Sequence, residues 1–445
     1  MSAASPVGTP HDPYAPLRVV NFRWFVASIL TMAMSAQIQG VVVGWQLYAL
    51  THNPLTLAMV GLAEAAPFVL CSLYAGHIAD VRDRRRVALQ ALVVLFACAL
   101  ALAAVSALLI ERGRSGAVVQ LAVYVVIAVC GVARSFLLPA RSALGADLVP
   151  RALFPSAVAW RTGVWQVAAV VGPALGGLLY AWIGPTRALA VSAGLMATAV
   201  ATVLRIRVAP RPTIARREAV VASVLEGLKF LRQRRLFMGA ITLDLFAVLF
   251  GGVTAILPVF ADDVLHVGPQ GLGALRAAPA IGAVLMSAVI ALRPPPRRAG
   301  RTFLYAVVLF GGFTIGFGLS HSFLLSLALL AASGAADMLS VYFRATLMQV
   351  MVPSTMLGRV SAVNQIFIGS SNELGAFESG LAAWALGAVP AVVIGGAITI
   401  AVTLIAAWRV PEIARLDRLE GHDPDAAEPA ASSDDGAAAK AGPSS

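Results

Sequence analysis

Residues 76–87 read GHIADVRDRRRV, and six of the seven residues from Asp80 to Arg86 carry charge. The flanking runs are long and apolar, and across all 445 residues only 12% are Asp, Glu, Lys or Arg. A short charged connection between long apolar segments is what a chain shows where it leaves lipid, turns in water and re-enters.

Composition requires that solvent. Apolar residues make up 59% of the chain and mean hydropathy is +0.83, more than a water-facing surface accommodates. In a bilayer every backbone polar group must be satisfied internally, which leaves helices or closed barrels. The runs reach the about 20 residues a spanning helix needs and lack the alternation of barrel strands. The expectation is an all-α integral membrane protein.

Windows bounded by charge, Gly and Pro predict twelve spans. They lie near 22–50, 55–79, 87–110, 117–144, 154–182 and 187–206, then 237–260, 270–292, 302–320, 323–350, 358–387 and 390–409. This divides the chain into a leader at 1–20, a six-helix bundle at 21–206, a linker at 207–236, a second bundle at 237–410 and a polar, disordered tail at 411–445. The leader has no basic n-region or small-residue cleavage site, so no cleaved signal is expected.

With the N-terminus in the cytoplasm, 25 of the 33 Lys and Arg fall on the cytoplasmic side, 3 outside (Arg112, Arg114, Arg187) and 5 within spans (Arg134, Arg141, Arg161, Arg276, Arg344). That asymmetry obeys the positive-inside rule and places both termini in the cytoplasm of an inner-membrane protein. It also accounts for the pI near 10.4 without nucleic acid. In the linker, Val221, Leu225, Leu228 and Leu231 recur at helical spacing among Lys229, Arg232, Arg234 and Arg235, which predicts an amphipathic segment along the anionic leaflet. Trp45 and Tyr48 read as anchors in the aromatic belt of the outer interface.

The two bundles repeat each other. At an offset of 212, EAAP (64–67) meets RAAP (276–279), and Arg85 and Arg86 meet Arg297 and Arg298. At an offset of 203, Gly131 meets Gly334, Arg141 meets Arg344, Pro150 meets Pro353, Gly172 meets Gly375 and Gly177 meets Gly380. Parallel repeats related by an axis along the membrane normal are a transporter architecture, with the substrate held between halves.

The loop GHIADVRDRRRV resembles the Gly-x-x-x-Asp-x-x-x-Arg-Arg motif of the major facilitator superfamily, with Gly76, Asp80, Arg84 and Arg85 in the key places. PARSALGADLVP (139–150), EGLKFLR (226–232), ILPVFADDVL (256–265) and GLGALRAAPAIGA (271–283) resemble its enterobactin-exporter-like branch. GPALGG, with Gly172, Pro173, Gly176 and Gly177, resembles the fifth-span motif of antiporters, with Ala168 in place of the usual upstream Gly. The resemblance implies a twelve-helix major facilitator fold and a cytoplasmic latch. Asp80 would face the positive N-terminal end of span 11 beside Arg359, and Arg84 or Arg85 would pair with Asp147.

Ionisable groups inside spans are costly and mark pathways. Glu64, Asp337 and Glu373 lie near mid-span, Asp244 and Arg134 towards the cytoplasm and Arg276 towards the outside. Through the repeat Glu64 corresponds to Arg276 and Arg134 to Asp337, so each half carries one acid and one base with signs exchanged. Pairing is expected either within a half, Glu64 with Arg134 and Arg276 with Asp337, or between Glu64 and Arg276 across the outer gate. The resemblance implies that spans 1, 4, 7 and 10 line the cavity, which makes Asp337 the first candidate for proton coupling, ahead of Glu64 and Asp244. Static ion pairs explain each residue singly as well as coupling does. Gln37 and Gln39 on span 1 are candidates to hydrogen-bond cargo or to pack between helices.

There is no Gly-Lys-Ser/Thr phosphate loop, the six His are scattered, and Cys71, Cys98 and Cys130 lack ligand spacing, so no cofactor, metal or enzymatic activity is expected. The leading expectation is a monomeric secondary exporter of a small amphipathic or siderophore-like molecule, with protons as coupling ion and the lipid bilayer as surroundings. Multidrug or macrolide efflux is a second reading, and a non-transporting sensor or scaffold on the same fold a third.

Overall fold

The computed structural model describes residues 12–113, 116–207, 226, 228–231, 234–293, 298–353 and 356–416. Twelve long helices carry the fold. They are α1 (Val20–Thr51), α2 (Pro54–Val81), α3 (Arg84–Val105), α4 (Ala117–Asp147), α5 (Phe154–Ile183), α6 (Pro185–Arg205), α7 (Arg235–Gly251), α8 (Gly268–Leu292), α9 (Ala299–Leu319), α10 (Phe323–Met351), α11 (Leu357–Leu386) and α12 (Ala388–Arg409). Among the described residues, eleven segments are long and apolar enough to cross a membrane. The exception is α11, which carries Arg359, Asn364, Asn372 and Glu378 and packs against α2, α7 and α12.

The charged connection of residues 82–83 is short because both neighbours are capped tightly. Asp83 caps α3 by accepting from the Arg86 amide at 2.8 Å, and at the other end of α2 Asn53 accepts from Leu55 at 3.0 Å. Helix α7 departs from the continuous span of 237–260. It stops at Gly251 and resumes as short turns from Thr254 to Val264, with Pro258 inside. The Gly252 carbonyl freed by the break accepts from Ser379 Oγ on α11 at 2.7 Å, so the interruption leaves no orphan acceptor there.

The repeat is visible in helix crossings. Gly131 on α4 abuts the α2 backbone at Glu64, and its counterpart Gly334 on α10 abuts the α8 backbone at Pro279. Between halves, α5 crosses α8 and α11 crosses α2 in the same way. A Cβ at Gly273 would lie 2.6 Å from the Pro173 carbonyl and 3.2 Å from Gly177 Cα. A Cβ at Gly61 would lie 3.0 Å from the Phe377 amide and 3.1 Å from Ala376 Cβ. Gly61 and Gly273 are 212 apart and Pro173 and Ala376 are 203 apart, so one crossing is the symmetry copy of the other.

Packing differs between the two ends of the bundle. At the far end, opposite the termini, one core joins Val41, Trp45, Tyr48 and Leu57 of the first half to Leu257, Phe260, Leu272 and Ala383 of the second, and another gathers Ile38, Leu47, Leu102 and Leu189 within the first half. At the termini end the cores are separate. Phe22, Leu92, Leu144 and Val203 gather helices of the first half, and Phe237, Phe303, Phe343 and Val360 gather helices of the second.

Three expectations change. Trp45 and Tyr48 are 8% and 1% exposed inside the shared far-end core, so they seal the halves together and are not belt anchors. Of the linker, most lies outside the described residues, but Leu231 is fully buried in the second-half core beside Leu228 and Phe230. Protein covers the apolar face of this end of the linker, where lipid was expected. The tail also begins inside the fold. Residues Pro411–Arg415 form a short helix, Ile413 is fully buried, and the Leu416 carbonyl accepts from the Gly300 amide at 3.0 Å. Residues 417–445 lie outside the described residues.

Candidate functional site

Each half holds an ion pair between two of its helices, and only the second-half pair is deeply buried. In the first half, Arg134 on α4 donates to Glu64 on α2, one of the pairings the repeat suggested. In the second, Arg344 on α10 donates to Asp244 on α7, with the two side chains 12% and 8% exposed. The other expected pair does not form: among the described residues Arg276 and Asp337 make no ion pair with each other. Asp337 lies within Coulombic reach of Arg344 and Asp244, and Arg276 within reach of Glu64. The Arg276 guanidinium rests against α1 at Gly40, where a Cβ would sit 3.1 Å from Nη1. Leaving one member of the buried Asp244–Arg344 pair uncompensated costs about 3–5 kcal/mol.

Sequence spacing concealed the Asp244–Arg344 pair because its members are 100 residues apart. The signal was present in the repeat. Arg344 corresponds to Arg141, and Asp244, by the offset of 212, corresponds to Met32. In the first half Arg141 reaches the Met32 thioether at 3.8 Å, so the same helix contact is ionic in one half and not in the other. Arg141 also stands 5.7 Å from the Trp165 ring centroid on α5.

Gln37 lies against α5, where a Cβ at Gly172 would meet its Cβ at 2.6 Å. The Gln39 amide nitrogen is buried with no hydrogen-bond partner. In the antiporter-like stretch Gly172 and Gly176 admit α1, Gly176 facing Ile38 and Val41, while Pro173 and Gly177 form the α5–α8 crossing. Four small or cyclic residues therefore serve two helix approaches on adjacent faces of one helix.

At the termini end the loop residues bond within their own half. Arg84 pairs with Asp147 at 2.7 Å, joining the start of α3 to the end of α4. Arg85 donates to the Val203 and Leu204 carbonyls at 3.3 and 2.7 Å, capping the C-terminal end of α6, where the helix dipole favours a cation. Arg359 pairs with Glu226 of the linker at 2.9 Å. Gly76 and Asp80 lie in the last turns of α2, and the side chains of Asp80 and Glu373 lie outside the described residues.

At the far end two contacts cross between halves that the sequence did not suggest. Tyr48 on α1 donates to Asp263, and His52 at the end of α1 lies 3.5 Å from Asp262. Asp262 and Asp263 sit in the turn Phe260–Val264 that extends α7.

The profile of a family described as transmembrane secretion effector matches residues 11–433. The chain is 29% identical over 285 residues to the multidrug efflux pump Tap of Mycolicibacterium fortuitum, covering 61% of this chain and 67% of that protein. It is 24% identical over 272 residues to the staphyloferrin A transporter of Staphylococcus aureus, covering 60% of this chain and 66% of that one. Among solved structures, a POT family transporter in complex with 5-aminolevulinic acid superimposes with a TM-score of 0.71 at 13% identity, covering 88% of this chain and 96% of that one.

Proposed function

The chain belongs to the transmembrane secretion effector family of major facilitator transporters, and from that premise we propose that it is a proton-coupled exporter working by alternating access. The observation that carries this reading is the unequal packing of its two ends. A core spans both halves at the far end, while each core at the termini end stays within one half, as expected of a transporter caught open to one side. The basic residues put the termini end in the cytoplasm, so this state faces inward.

Rocking to the outward state must break the far-end contacts of Tyr48 and His52 with Asp263 and Asp262 and close the cytoplasmic latch. In that latch Asp80 meets the N-terminal end of α11, and in the inward state the loop's arginines bond within their own half. Each contact needs to contribute only a few kcal/mol to bias a two-state equilibrium. We expect Asp80→Asn to preserve expression and cut export, measured in vesicles; wild-type rates in this variant would reject the latch.

Proton coupling is assigned to Asp337, which is half-buried within α10, makes no ion pair among the described residues, and lies near the Asp244–Arg344 pair. An acid placed so can exchange a proton as neighbouring charges move. The test is flux in proteoliposomes, with desferrioxamine and tetracycline as siderophore-like and drug-like probes and a dye for luminal pH. Wild type should move one of them with a pH gradient, and Asp337→Asn should lose gradient-driven accumulation while retaining exchange at equal pH. Accumulation by Asp337→Asn at the wild-type level would reject the assignment. Drug efflux is the second reading, supported by the higher identity to Tap than to the siderophore transporter. A single chain forms the whole pathway in either case.

A further inference from the structure

The asymmetry between Met32 and Asp244 bears on what the transporter carries. In the second half the α10 arginine, Arg344, is neutralised by the α7 carboxylate. In the first half the α4 arginine, Arg141, finds a thioether in the matching place and an indole face, and neither carries a compensating charge. Arg161 on α5 stands over the Phe25 ring at 5.9 Å, and among the described residues it has no carboxylate partner. Arg141 lies within Coulombic reach of both Arg161 and Arg134. Of these three, Arg134 alone has an acid in contact, Glu64.

The two guanidiniums without a carboxylate converge where α4 meets α5: a Cβ at Gly145 of α4 would lie 3.3 Å from Arg161 Nη1. Arg161, Trp165, Ala168, Gly172 and Gly176 fall on one face of α5, and Gly172 and Gly176 on that face meet α1. Arg141 reaches the same strip from α4, 5.7 Å from the Trp165 ring centroid and 3.8 Å from the Met32 thioether of α1. Trp165 remains 40% exposed, so protein does not close over the strip at this level of α5. Two like charges held near each other in a partly buried place repel unless an anion sits between them. A guanidinium fork matches a carboxylate or phosphate in two parallel hydrogen bonds, and an indole face covers an adjoining apolar group.

We propose that Arg141, Arg161 and Trp165 form an oxyanion subsite, and that the exported molecule is an organic anion whose carboxylate or phosphate group docks there. This rests on the transport reading and narrows its cargo from amphipathic molecules in general to anionic ones. The unequal repeat fits this use: the second half supplies its own carboxylate in cis, and the first half takes one from the cargo.

The experiment is calorimetric titration of the full-length protein in lipid nanodiscs at fixed ionic strength. The probes are propane-1,2,3-tricarboxylate, its neutral trimethyl ester and inorganic phosphate. Wild type should bind the tricarboxylate and not the ester. Arg141→Gln should weaken binding roughly 10- to 100-fold, the loss of one charge-assisted contact, and Arg161→Gln should weaken it less. Met32→Asp reproduces the second-half pair, so it should weaken the tricarboxylate as much as Arg141→Gln while keeping or raising the thermal midpoint. This variant carries the test should Arg141→Gln fail to fold. Displacement by phosphate would identify a general oxyanion subsite and its failure a carboxylate subsite, each supporting the proposal. Equal affinity for acid and ester, full affinity in Met32→Asp, or no binding to wild type overturns it. Flux assays keep the two readings apart: transport without anion binding overturns this inference alone, and anion binding without any transport overturns the exporter reading alone.

Discussion

Asp244→Leu should destabilise the protein by about 3–5 kcal/mol, because it leaves the Arg344 guanidinium charged in a place where it is only 12% exposed. Asp337 lies within Coulombic reach of Arg344 but makes no ion pair with it, and the Arg344 Nε is already buried without a partner. The double variant Asp244→Leu with Arg344→Leu should recover most of that loss, since replacing both charges by apolar groups removes the desolvation cost together with the attraction. Thermal midpoints of the purified single and double variants measure the difference. Equal midpoints for the two would mean that the pair contributes nothing beyond its parts. If Asp337 couples protons as proposed, transport should stay impaired in the double variant even where stability returns, because Asp337 then loses its neighbouring charges.

The largest functional effect is expected at the two glycine crossings. Valine at Gly273 would drive its Cβ to 2.6 Å from the Pro173 carbonyl, and valine at Gly61 would press on the Phe377 amide at 3.0 Å. Overpacking of this kind costs about 1–3 kcal/mol per site, a shift of roughly 5- to 150-fold in the closed-to-open ratio of the far end. Both sites bear on the same seal, so Gly61→Val combined with Gly273→Val should hold the far end apart and stop turnover. The check is alkylation of a cysteine introduced at Trp45, which is 8% exposed in the sealed state, in a background where Cys71, Cys98 and Cys130 are replaced by Ala. Wild type should protect that cysteine and the double valine variant should expose it. Protection in both, with normal flux, would mean that the seal does not depend on these crossings.

Hydropathy and charge made the helices legible, and the repeat made their arrangement legible, because both are recorded residue by residue along the chain. The pairings were legible only in part. Glu64 with Arg134 could be chosen by symmetry, but Asp244 with Arg344 joins helices whose contact no local pattern records. Tyr48 was misread for a related reason. An aromatic residue near the end of an apolar run meets either headgroups or another helix, and Asp263, 215 residues away, decides which. Gly61 and Gly273 stand in the repeat at the same offset as Glu64 and Arg276, yet their role emerges only when α5 and α11 are brought against them. The loop motif made Arg85 a latch candidate, but the carbonyls it caps at the end of α6 in this state carry no sequence signature.

The polarity of α11 reaches back to how the protein is made. A segment below the apolar threshold of its eleven companions gains too little from lipid to leave the translocon on hydrophobicity alone. It gains from partners already standing in the bilayer, and two of the three helices it packs on, α2 and α7, are synthesised earlier, with α12 following it. Ribosomal order thus becomes part of the assembly: the late, polar helix is threaded in against helices that emerged long before it.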